Sequence, residues 1–395
     1  MDGRQRVAMA MRHQEPDRVP VMCQLALGHY FLHARRRPSE IWFDSGVFAE
    51  TLSEFRARYQ FDGVLVNIPG RPSNWRDYLA EHRTRDGEEV LRWNNGLETH
   101  VPADDNPWTR AANGSPLRRA DYRTVEVSDP GTFRIPGYVW NIWHAPSLWD
   151  IAPDADLSVS DTYPEWFTLA LRATRALCPD VSVHVEVFSP FTHLLELLGY
   201  DQALLALIDV PDTCISLLER FTEFAATEVH LYADCDPDAI LISSAFAGAG
   251  FISREMYRRF VLPFEADVAN VIRSRGLPSY THTCGAIGDR LDLMAETKVD
   301  GIDTLDPPPL GTVDLASAKR EFGGRFFFKG NLDAVNEMLR ADDTAFEEAV
   351  RRRLEIGMPG GGYILSSACS VAPRVVPERL ARMVELAKAF RRYEG

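Results

Sequence analysis

Residues 277–285, LPSYTHTCG, form a short apolar run that ends in an imidazole and a thiol, and the chain is organised around this run. Residues two apart in a strand point to the same face, so the side chains of His282 and Cys284 are predicted to converge. A second run, GYILSSAC at residues 362–369, ends at another thiol, Cys369. Both runs indicate buried strands that end in metal-binding groups.

Outward from these two runs, short apolar segments recur along the whole chain. The predicted strands cover residues 18–24, 62–68, 181–188, 239–244, 277–284, 301–305, 325–330 and 363–369. Each is followed sooner or later by helical sequence, as at residues 38–59, where apolar side chains recur at helical spacing. Short buried runs are typical of parallel strands, and eight β/α units predict an α/β protein with a (β/α)8 TIM barrel. An open doubly wound sheet is the alternative, although no glycine-rich fingerprint follows the first strand.

Residues 72–153 interrupt this alternation and are rich in Pro, Asn, Asp and Trp. Within them, residues 91–101 predict a hairpin that turns at Asn95 and Gly96. Six of the eight tryptophans of the chain are Trp75, Trp93, Trp108, Trp140, Trp143 and Trp149 of this segment. Their bulk either packs a long excursion or forms a lid for a flat or apolar ligand, which Trp140 and Trp143 would contact. We interpret residues 1–395 as a single barrel domain, with this insertion after the second strand and over the C-terminal face.

Composition limits the classes of protein that this chain can belong to. Apolar residues make up 45% of its 395 residues, enough for a sizeable core, and the net charge of -14 without a long basic run argues against nucleic acid or anionic membranes as partners. No apolar run reaches the ~18 residues of a membrane helix, and the N-terminus lacks a signal-peptide core. The six scattered cysteines do not form a disulfide framework. We therefore expect a cytoplasmic protein with reduced thiols, for which a homodimer is one possible assembly.

The strand ends that carry His282, Cys284 and Cys369 predict a metal site. Chemistry in a TIM barrel sits at the C-terminal ends of the strands, and these residues close the fifth and eighth predicted strands. Two thiolates and one imidazole suit Zn²⁺, and three protein ligands leave a coordination position for a substrate. The alternative is that all three are ordinary buried residues, since Cys often packs as a small hydrophobe. Their coincidence at strand ends favours zinc.

Other polar side chains stand at or near strand ends. They are Asp303, Asp306, Glu186, His184, Asn331 and Ser244. We interpret the three carboxylates as catalytic groups, acting as a fourth metal ligand or as a proton donor, and the remaining three residues as substrate-binding. The alternative for each is a helix cap or a strand-end hydrogen bond.

Several motifs resemble the uroporphyrinogen decarboxylase superfamily over nearly the whole chain. They are RVAMAMRHQEPDRVPV at residues 6–21, SPFT at 189–192, SREMYRRFVLPF at 253–264 and KGNLD at 329–333. One branch of this superfamily decarboxylates porphyrinogens without a metal. The other contains corrinoid-linked methyltransferases, whose signature is His-x-Cys with a distant Cys, binding zinc. His282, Cys284 and Cys369 match the second branch.

The chain departs from the decarboxylase branch at three places. It reads QLALG at residues 24–28 instead of Arg-Gln-Ala-Gly-Arg, has NIP at residues 67–69 instead of a strand-end Asp, and carries Glu196 in place of a Tyr. The resemblance therefore implies a zinc methyltransferase, such as an O-demethylase, that moves methyl groups between a small methyl ether or methylated thiol and a corrinoid (cobalamin). The corrinoid would be free or on a partner protein, because no cobalamin-binding Asp-x-His-x-x-Gly pattern occurs. The alternatives are a carboxy-lyase acting on a tetrapyrrole and a non-catalytic zinc- or corrinoid-binding protein.

Overall fold

The computed structural model describes residues 1–138 and 156–390 of the chain, which form two β-sheets and the helices around them. The strands are β1 Gly63–Val66, β2 Leu79–Arg85, β3 Glu88–Trp93, β4 Glu98–Val101, β5 Trp108–Arg110, β6 Ser182–Phe188, β7 Ala239–Ser243, β8 Ser279–His282, β9 Gly301–Thr304, β10 Phe327–Leu332 and β11 Tyr363–Ser367. Seven of them form a parallel sheet in the order β1-β6-β7-β8-β9-β10-β11. This order never reverses, so the sheet lacks the switch point of a doubly wound fold.

The curled sheet closes through a segment that lies between its two edge strands. Val21 bridges Leu365 of β11, and the backbone N–H of Asp62, just before β1, donates to the Val21 carbonyl at 2.8 Å. The architecture is therefore TIM-barrel-like, as predicted. The predicted first strand, residues 18–24, is wrong as a regular strand. The next bridge joins Leu25 to Val371. The two bridges are four residues apart in the N-terminal segment but six residues apart in the segment that contains β11, so regular strand pairing is lost between them.

Helices follow most strands and surround the barrel, except that the N-terminal helix packs against the lower end of its lumen. They are α1 Gly3–Met11, α2 Leu27–His33, α3 Pro38–Phe43, α4 Ser45–Tyr59, α5 Leu169–Leu177, α6 Pro190–Leu198, α7 Tyr200–Asp209, α8 Pro211–Ala233, α9 Arg254–Phe260, α10 Leu262–Ser274, α11 Leu291–Glu296, α12 Leu315–Phe322, α13 Asp343–Gly357 and α14 Pro377–Ala389. The single helix predicted for residues 38–59 is broken at Asp44, whose carboxylate caps α4 by accepting from the N–H groups of Gly46 and Val47. Among the described residues, no helix combines the length and apolarity that a membrane span requires.

The lumen of the barrel changes character along the strands. Its lower part is an apolar cluster that α1 closes from below: Val7, Ala10 and Met11 pack with Met22, Leu65, Ala239, Leu241, Tyr280, Phe327 and Ile364. Side chains alternate along a strand, so the next inward positions toward the C-terminal ends are polar. They include Glu186, Ser243, His282, Asp303 and Lys329. The polar end of the lumen is therefore the end at which barrel enzymes place their chemistry.

The insertion follows β1, the second of the predicted strands, and contains the antiparallel sheet β2-β3-β4-β5. The predicted hairpin is confirmed by the pairing of β3 with β4 around Gly96, which has a φ of 86°. Trp75 and Trp93 are buried against Phe43, with ring centroids 5.4 and 5.0 Å away, so both of these tryptophans pack the insertion down. Trp140, Trp143 and Trp149 lie outside the described residues. The lid and the domain limits stay predictions.

Candidate metal centre

Three side chains from two distant segments meet at the C-terminal end of the lumen. His282 ends β8, Cys284 follows two residues later, and Cys369 lies two residues beyond β11. The Sγ atom of Cys284 is 3.4 Å from Nε2 of His282 and 3.6 Å from Sγ of Cys369. The ligand atoms of all three residues lie within 4.8 Å of one another. The parallel barrel thus brings together the group that the sequence predicts.

The spacing of these atoms fits a zinc ion. Zinc binds thiolate at ~2.3 Å and imidazole at ~2.0 to 2.1 Å, so tetrahedral angles separate two sulfurs by ~3.8 Å and a sulfur from a nitrogen by ~3.5 Å. The corresponding distances in this site are 3.6 and 3.4 Å. The remaining pair, His282 and Cys369, has ligand atoms within 4.8 Å, so the three side chains surround a space that could hold zinc.

Two backbone hydrogen bonds fix the turn that carries Cys284. Its N–H donates to the carbonyl of Ala245 at 3.2 Å, and the N–H of Gly285 donates to Oδ2 of Asp306 at 2.6 Å. Gly285 has a φ of 77°, a conformation that glycine adopts without steric cost. The loops after β7 and β9 therefore hold the cysteine from two sides.

His282 is oriented by a buried ion pair in the neighbouring strands. Its Nδ1 lies 3.1 Å from Oδ2 of Asp303, and the Lys329 ammonium lies 3.0 and 3.1 Å from the two carboxylate oxygens. Strand register produces this row, because His282 pairs with Asp303 and Asp303 pairs with Lys329. The Asp303 oxygens also accept the Thr304 N–H at 2.8 Å. Asp303 is thus placed to direct Nε2 at the thiols rather than to act as a fourth ligand.

The buried side chains of this site shift one another's pKa values strongly. Burial raises the pKa of Asp303, but Lys329 and His282 outweigh burial and hold that pKa at about 2. Burial likewise opposes charge on His282, yet Asp303 and Cys369 raise its pKa to about 10. Hydrogen bonding from Cys284 lowers the pKa of the Cys369 thiol, whereas the nearby Cys369 sulfur raises the pKa of Cys284. Without a metal cation, only one of these thiols therefore ionises readily.

The other two predicted catalytic carboxylates lie near this group without joining it. Burial raises the pKa of Asp306 to about 6, although the Gly285 N–H stabilises its charged form. Glu186 faces the lumen beside the Ser243 hydroxyl, and burial also raises its pKa. Neither carboxylate belongs to the cluster of possible metal ligands among the described residues. A coordination position therefore remains for another ligand.

The side chains of His184 and Ser244 do not reach the three ligands. His184 lies deeper in the lumen, with Nε2 3.0 Å from the Ser182 hydroxyl and Nδ1 2.8 Å from the Tyr280 hydroxyl. Its burial lowers its pKa to about 3. Ser244 follows the inward-facing Ser243, so strand alternation turns its side chain out of the lumen. The contacts of His184 show a packed core residue.

Asn331 contacts the turn after β9 and does not contact the three candidate metal ligands directly. Its Nδ2 donates to the carbonyl of Leu305 at 2.9 Å, and its side chain is 1% exposed. Leu305 and the preceding Thr304 have φ values of 57° and 75°, which are unfavourable for side chains of these types. Asn331 thus holds the turn that presents Asp306, a role that the substrate-binding prediction did not include.

Lys329, the buried partner of Asp303, is a strand-end polar residue for which the sequence left a site role and a plain strand-end hydrogen bond equally open. Two features place its side chain in the lumen beside Asp303: it lies two residues after the lumen residue Phe327, and it pairs in register with Asp303. A lysine on the inward face of a buried strand requires a carboxylate partner, since an unpaired buried charge is very costly.

The fold and the site together define a class: TIM-barrel-like α/β proteins with a His–Cys–Cys cluster at the C-terminal ends of the strands. Comparison with family models narrows this class. The model described as Uroporphyrinogen decarboxylase (URO-D) matches residues 149–390, more than half of the chain. The chain belongs to the uroporphyrinogen decarboxylase family.

Its curated relatives carry two different activities in their names. The chain is 29% identical over 183 residues to "Uroporphyrinogen decarboxylase" of Thioalkalivibrio sulfidiphilus, which covers 45% of this chain and 49% of that protein. It is 24% identical over 176 residues to "Methylcobamide:CoM methyltransferase MtbA" of Methanosarcina acetivorans, which covers 45% and 49%. The matches thus span about half the length of these relatives.

A solved structure described as a methyltransferase from Methanosarcina mazei has the same fold. It superposes with a TM-score of 0.69, covers 98% of each chain and is 15% identical in sequence. This similarity confirms the architecture over nearly the whole chain.

Proposed function

We propose that this protein is a zinc-dependent methyltransferase that moves a methyl group between a heteroatom of a small substrate and a corrinoid. The substrate would be a methyl ether, a methylated thiol or a related compound, and the corrinoid would be free or bound to a partner protein. The observation that carries the proposal is the convergence of His282, Cys284 and Cys369, whose ligand atoms lie within 4.8 Å of one another. The name of the MtbA relative supports the same chemistry.

The three ligands and their supporting residues have separate roles in this proposal. Bound zinc would supply a Lewis acid that stabilises negative charge on the substrate heteroatom. His282, Cys284 and Cys369 would hold the ion. Asp303 accepts from Nδ1 of His282 and so directs Nε2 toward the two thiols, and Lys329 balances the charge of Asp303.

Asp306 and Glu186 are the groups that we propose for proton transfer and substrate contact. With a pKa of about 6, Asp306 can accept or release a proton near neutral pH. It hydrogen-bonds to the residue after Cys284, which keeps it beside the metal ligands. Glu186 faces the lumen beside the Ser243 hydroxyl and lies close enough to His282 and Asp303 to feel their charge, so it would contact the substrate body.

One rival activity is supported by a specific observation. Several relatives are named uroporphyrinogen decarboxylase, so a carboxy-lyase acting on a tetrapyrrole is the second candidate. The two cysteines argue against it, because a decarboxylase of this family needs no cluster of soft ligands. A non-catalytic zinc- or corrinoid-binding protein is the third candidate.

The test combines metal analysis with two activity assays. Zinc-loaded protein is incubated with methyl ethers, methyl thioethers or thiols, together with cob(I)alamin or methylcobalamin, and the corrinoid absorbance is followed. We expect methyl transfer that is lost in Cys284→Ser and kept in Cys235→Ala, whose side chain lies at the opposite end of the barrel just before β7. Release of carbon dioxide from uroporphyrinogen by metal-free protein would instead support the carboxy-lyase.

A further inference from the structure

The two cysteines of the candidate metal centre differ from the other cysteines of the chain in exposure. Cys284 and Cys369 are partly exposed at the C-terminal end of the lumen. The remaining four cysteines are buried: Cys23, Cys178, Cys214 and Cys235. A dissolved oxidant reacts with a thiol only when it can reach the sulfur, and buried structural thiols are inert. Oxidation of this protein should therefore begin at the candidate metal centre.

The sulfur atoms of this exposed pair are in van der Waals contact. Sγ of Cys284 lies 3.6 Å from Sγ of Cys369, and a disulfide bond is about 2.05 Å long, so the sulfurs must approach by roughly 1.5 Å to form one. Neither residue lies in a regular strand, because β8 ends at His282 and β11 ends at Ser367. Rotation of the two side chains and small shifts of these connecting segments can supply the movement while the strand pairing stays intact.

We propose that Cys284 and Cys369 form a reversible disulfide bond when the protein meets a hydroperoxide, and that this bond releases the bound metal. One sulfur, as the thiolate, attacks the peroxide and becomes a sulfenic acid. The second sulfur then attacks the first, and the hydroxyl group leaves as water. With hydrogen peroxide, two thiols and one peroxide give one disulfide and two waters. Each sulfur loses one electron, and the peroxide gains two.

The consequence for the metal follows from the charge on the ligands. Zinc binds cysteine as the thiolate, and a disulfide has no thiolate to offer. Of the three candidate ligands, His282 would be left, and one imidazole does not make a zinc site. A dithiol reductant would restore both sulfur ligands together. Release of the metal rests on the proposed function, whereas formation of the bond depends on the two thiols alone.

The test titrates the zinc-loaded protein with hydrogen peroxide in the presence of a chromophoric zinc chelator. We expect one zinc ion to be released for every two thiols lost, with the thiol count of the denatured protein falling from the six cysteines of the chain to four. Intact mass should fall by the mass of two hydrogen atoms. Digestion without reduction should give the peptide with Cys284 linked to the peptide with Cys369, and dithiothreitol should return both thiols and the capacity to bind zinc.

Matched variants identify the sulfurs that take part. Cys284→Ser and Cys369→Ser each remove one partner and should abolish the linked peptide. Cys235→Ala removes a buried thiol and should leave the linked peptide and its yield unchanged. These variants are compared as metal-free proteins, so that a weaker zinc site does not alter access of the peroxide. If a serine variant does not fold, the peptide map of the wild type identifies both partners.

Each outcome decides a separate question. Sulfinic acid on either cysteine in place of the linked peptide, or a link between other cysteines, would overturn the inference. A disulfide between Cys284 and Cys369 with unchanged zinc content would overturn the release of the metal. A disulfide that releases zinc, in a protein that transfers no methyl group, would support the inference and refute the proposed function. A protein that binds no zinc yet forms this disulfide would support the bond and refute both the metal release and the proposed function.

Discussion

The candidate metal centre depends on a few individual residues, and the contacts of each give it a distinct role. Cys284 and Cys369 are 85 residues apart in sequence, yet their sulfurs lie 3.6 Å apart. In the proposed site Cys369 would contribute a ligand atom and little else, because it stands in the irregular segment just past β11. Asp303 contributes through the imidazole that it orients. Substitutions at these two positions should therefore have different consequences for metal binding.

Replacing Cys369 by Ala would remove one of the three proposed zinc ligands. Even substitutions behind the ligands weaken metal affinity by roughly 10- to 100-fold, so the loss of a ligand should reduce zinc affinity by at least that factor. Competition against a chromophoric chelator measures the change, with Cys235→Ala as the control for the loss of a buried thiol. Wild-type zinc affinity in Cys369→Ala would exclude this residue as a ligand.

Replacing Asp303 by Asn keeps the shape of the side chain and removes its charge. We expect zinc affinity to fall roughly 10- to 100-fold, while saturating zinc still fills the site, because the ligands remain and only the orientation of His282 is weakened. The variant also leaves Lys329 buried without its counter-ion, which lowers stability. The double variant Asp303→Asn with Lys329→Met separates the two effects. Recovery of stability without recovery of zinc affinity is expected, and recovery of both would show that Asp303 acts only through folding.

At the scale of the elements, α9 and α10 enclose a buried carboxylate outside the lumen, that of Glu265. Glu265 of α10 is 1% exposed and accepts a hydrogen bond from the Tyr257 hydroxyl of α9 at 3.3 Å. Burial raises the pKa of Glu265 to about 7, against partial relief from the Ser244 and Tyr257 hydroxyls. The folded protein thus keeps this proton at pH values where the unfolded chain has released it.

This pKa shift predicts a pH dependence of stability. Below about pH 4.5 the carboxyl group of Glu265 is protonated in both the folded and the unfolded state. Between about pH 4.5 and 7 it ionises only in the unfolded state. The free energy of unfolding therefore falls by up to about 3 kcal/mol as the pH rises through this range. Glu265→Gln should remove this decline and stabilise the protein at neutral pH. Urea unfolding of both proteins at several pH values between 4.5 and 8 measures the difference. Parallel stability curves for the two proteins would contradict the prediction.

At the scale of the whole molecule, the barrel is closed by one buried carboxylate where a regular strand pair is missing. Asp62 accepts from Arg6 at 2.6 Å, from Arg18 at 2.7 and 2.9 Å and from the Val21 N–H at 2.9 Å. Its backbone joins the same segment, through its own N–H to Val21, and continues to Ser182 of β6. The helix α1, the irregular segment at residues 18–24 and the start of β1 therefore meet at this side chain.

Asp62→Ala should lower the free energy of unfolding by roughly 3 kcal/mol, because it leaves the Arg18 guanidinium without its carboxylate partner and the Val21 N–H unpaired, whereas Arg6 keeps its ion pair with Asp17. The control is Asp180→Ala, which removes a carboxylate that is 54% exposed and pairs with Arg56. Exposed ion pairs contribute only about 0 to 1 kcal/mol, so the control should change little. Urea denaturation followed by circular dichroism compares both variants, and equal small effects would show that Asp62 does not hold the closure.

The sequence alone was sufficient to predict the barrel and the three candidate ligands. Strand alternation has a period of two, so His282 and Cys284 share a face wherever the strand lies, and parallel topology brings the end of β11 to the same rim. These are local or topological properties. The break at Asp44 and the irregular segment around Val21 escaped prediction, because a cap and a lost register depend on side-chain and backbone contacts that apolar periodicity does not report.

Only the tertiary structure separated the roles of the polar residues. Asp303, Asp306, Glu186 and His184 are equivalent in sequence as charged or polar groups near strand ends. Strand register places Asp303 between His282 and Lys329, the turn after β9 places Asp306 on Gly285, and depth in the lumen divides Glu186 from His184. Register, turn geometry and depth are properties of neighbouring strands, so no single segment of the sequence contains them. The type of chemistry could be predicted from residue types and spacing, but the assignment of each carboxylate required the distances between strands.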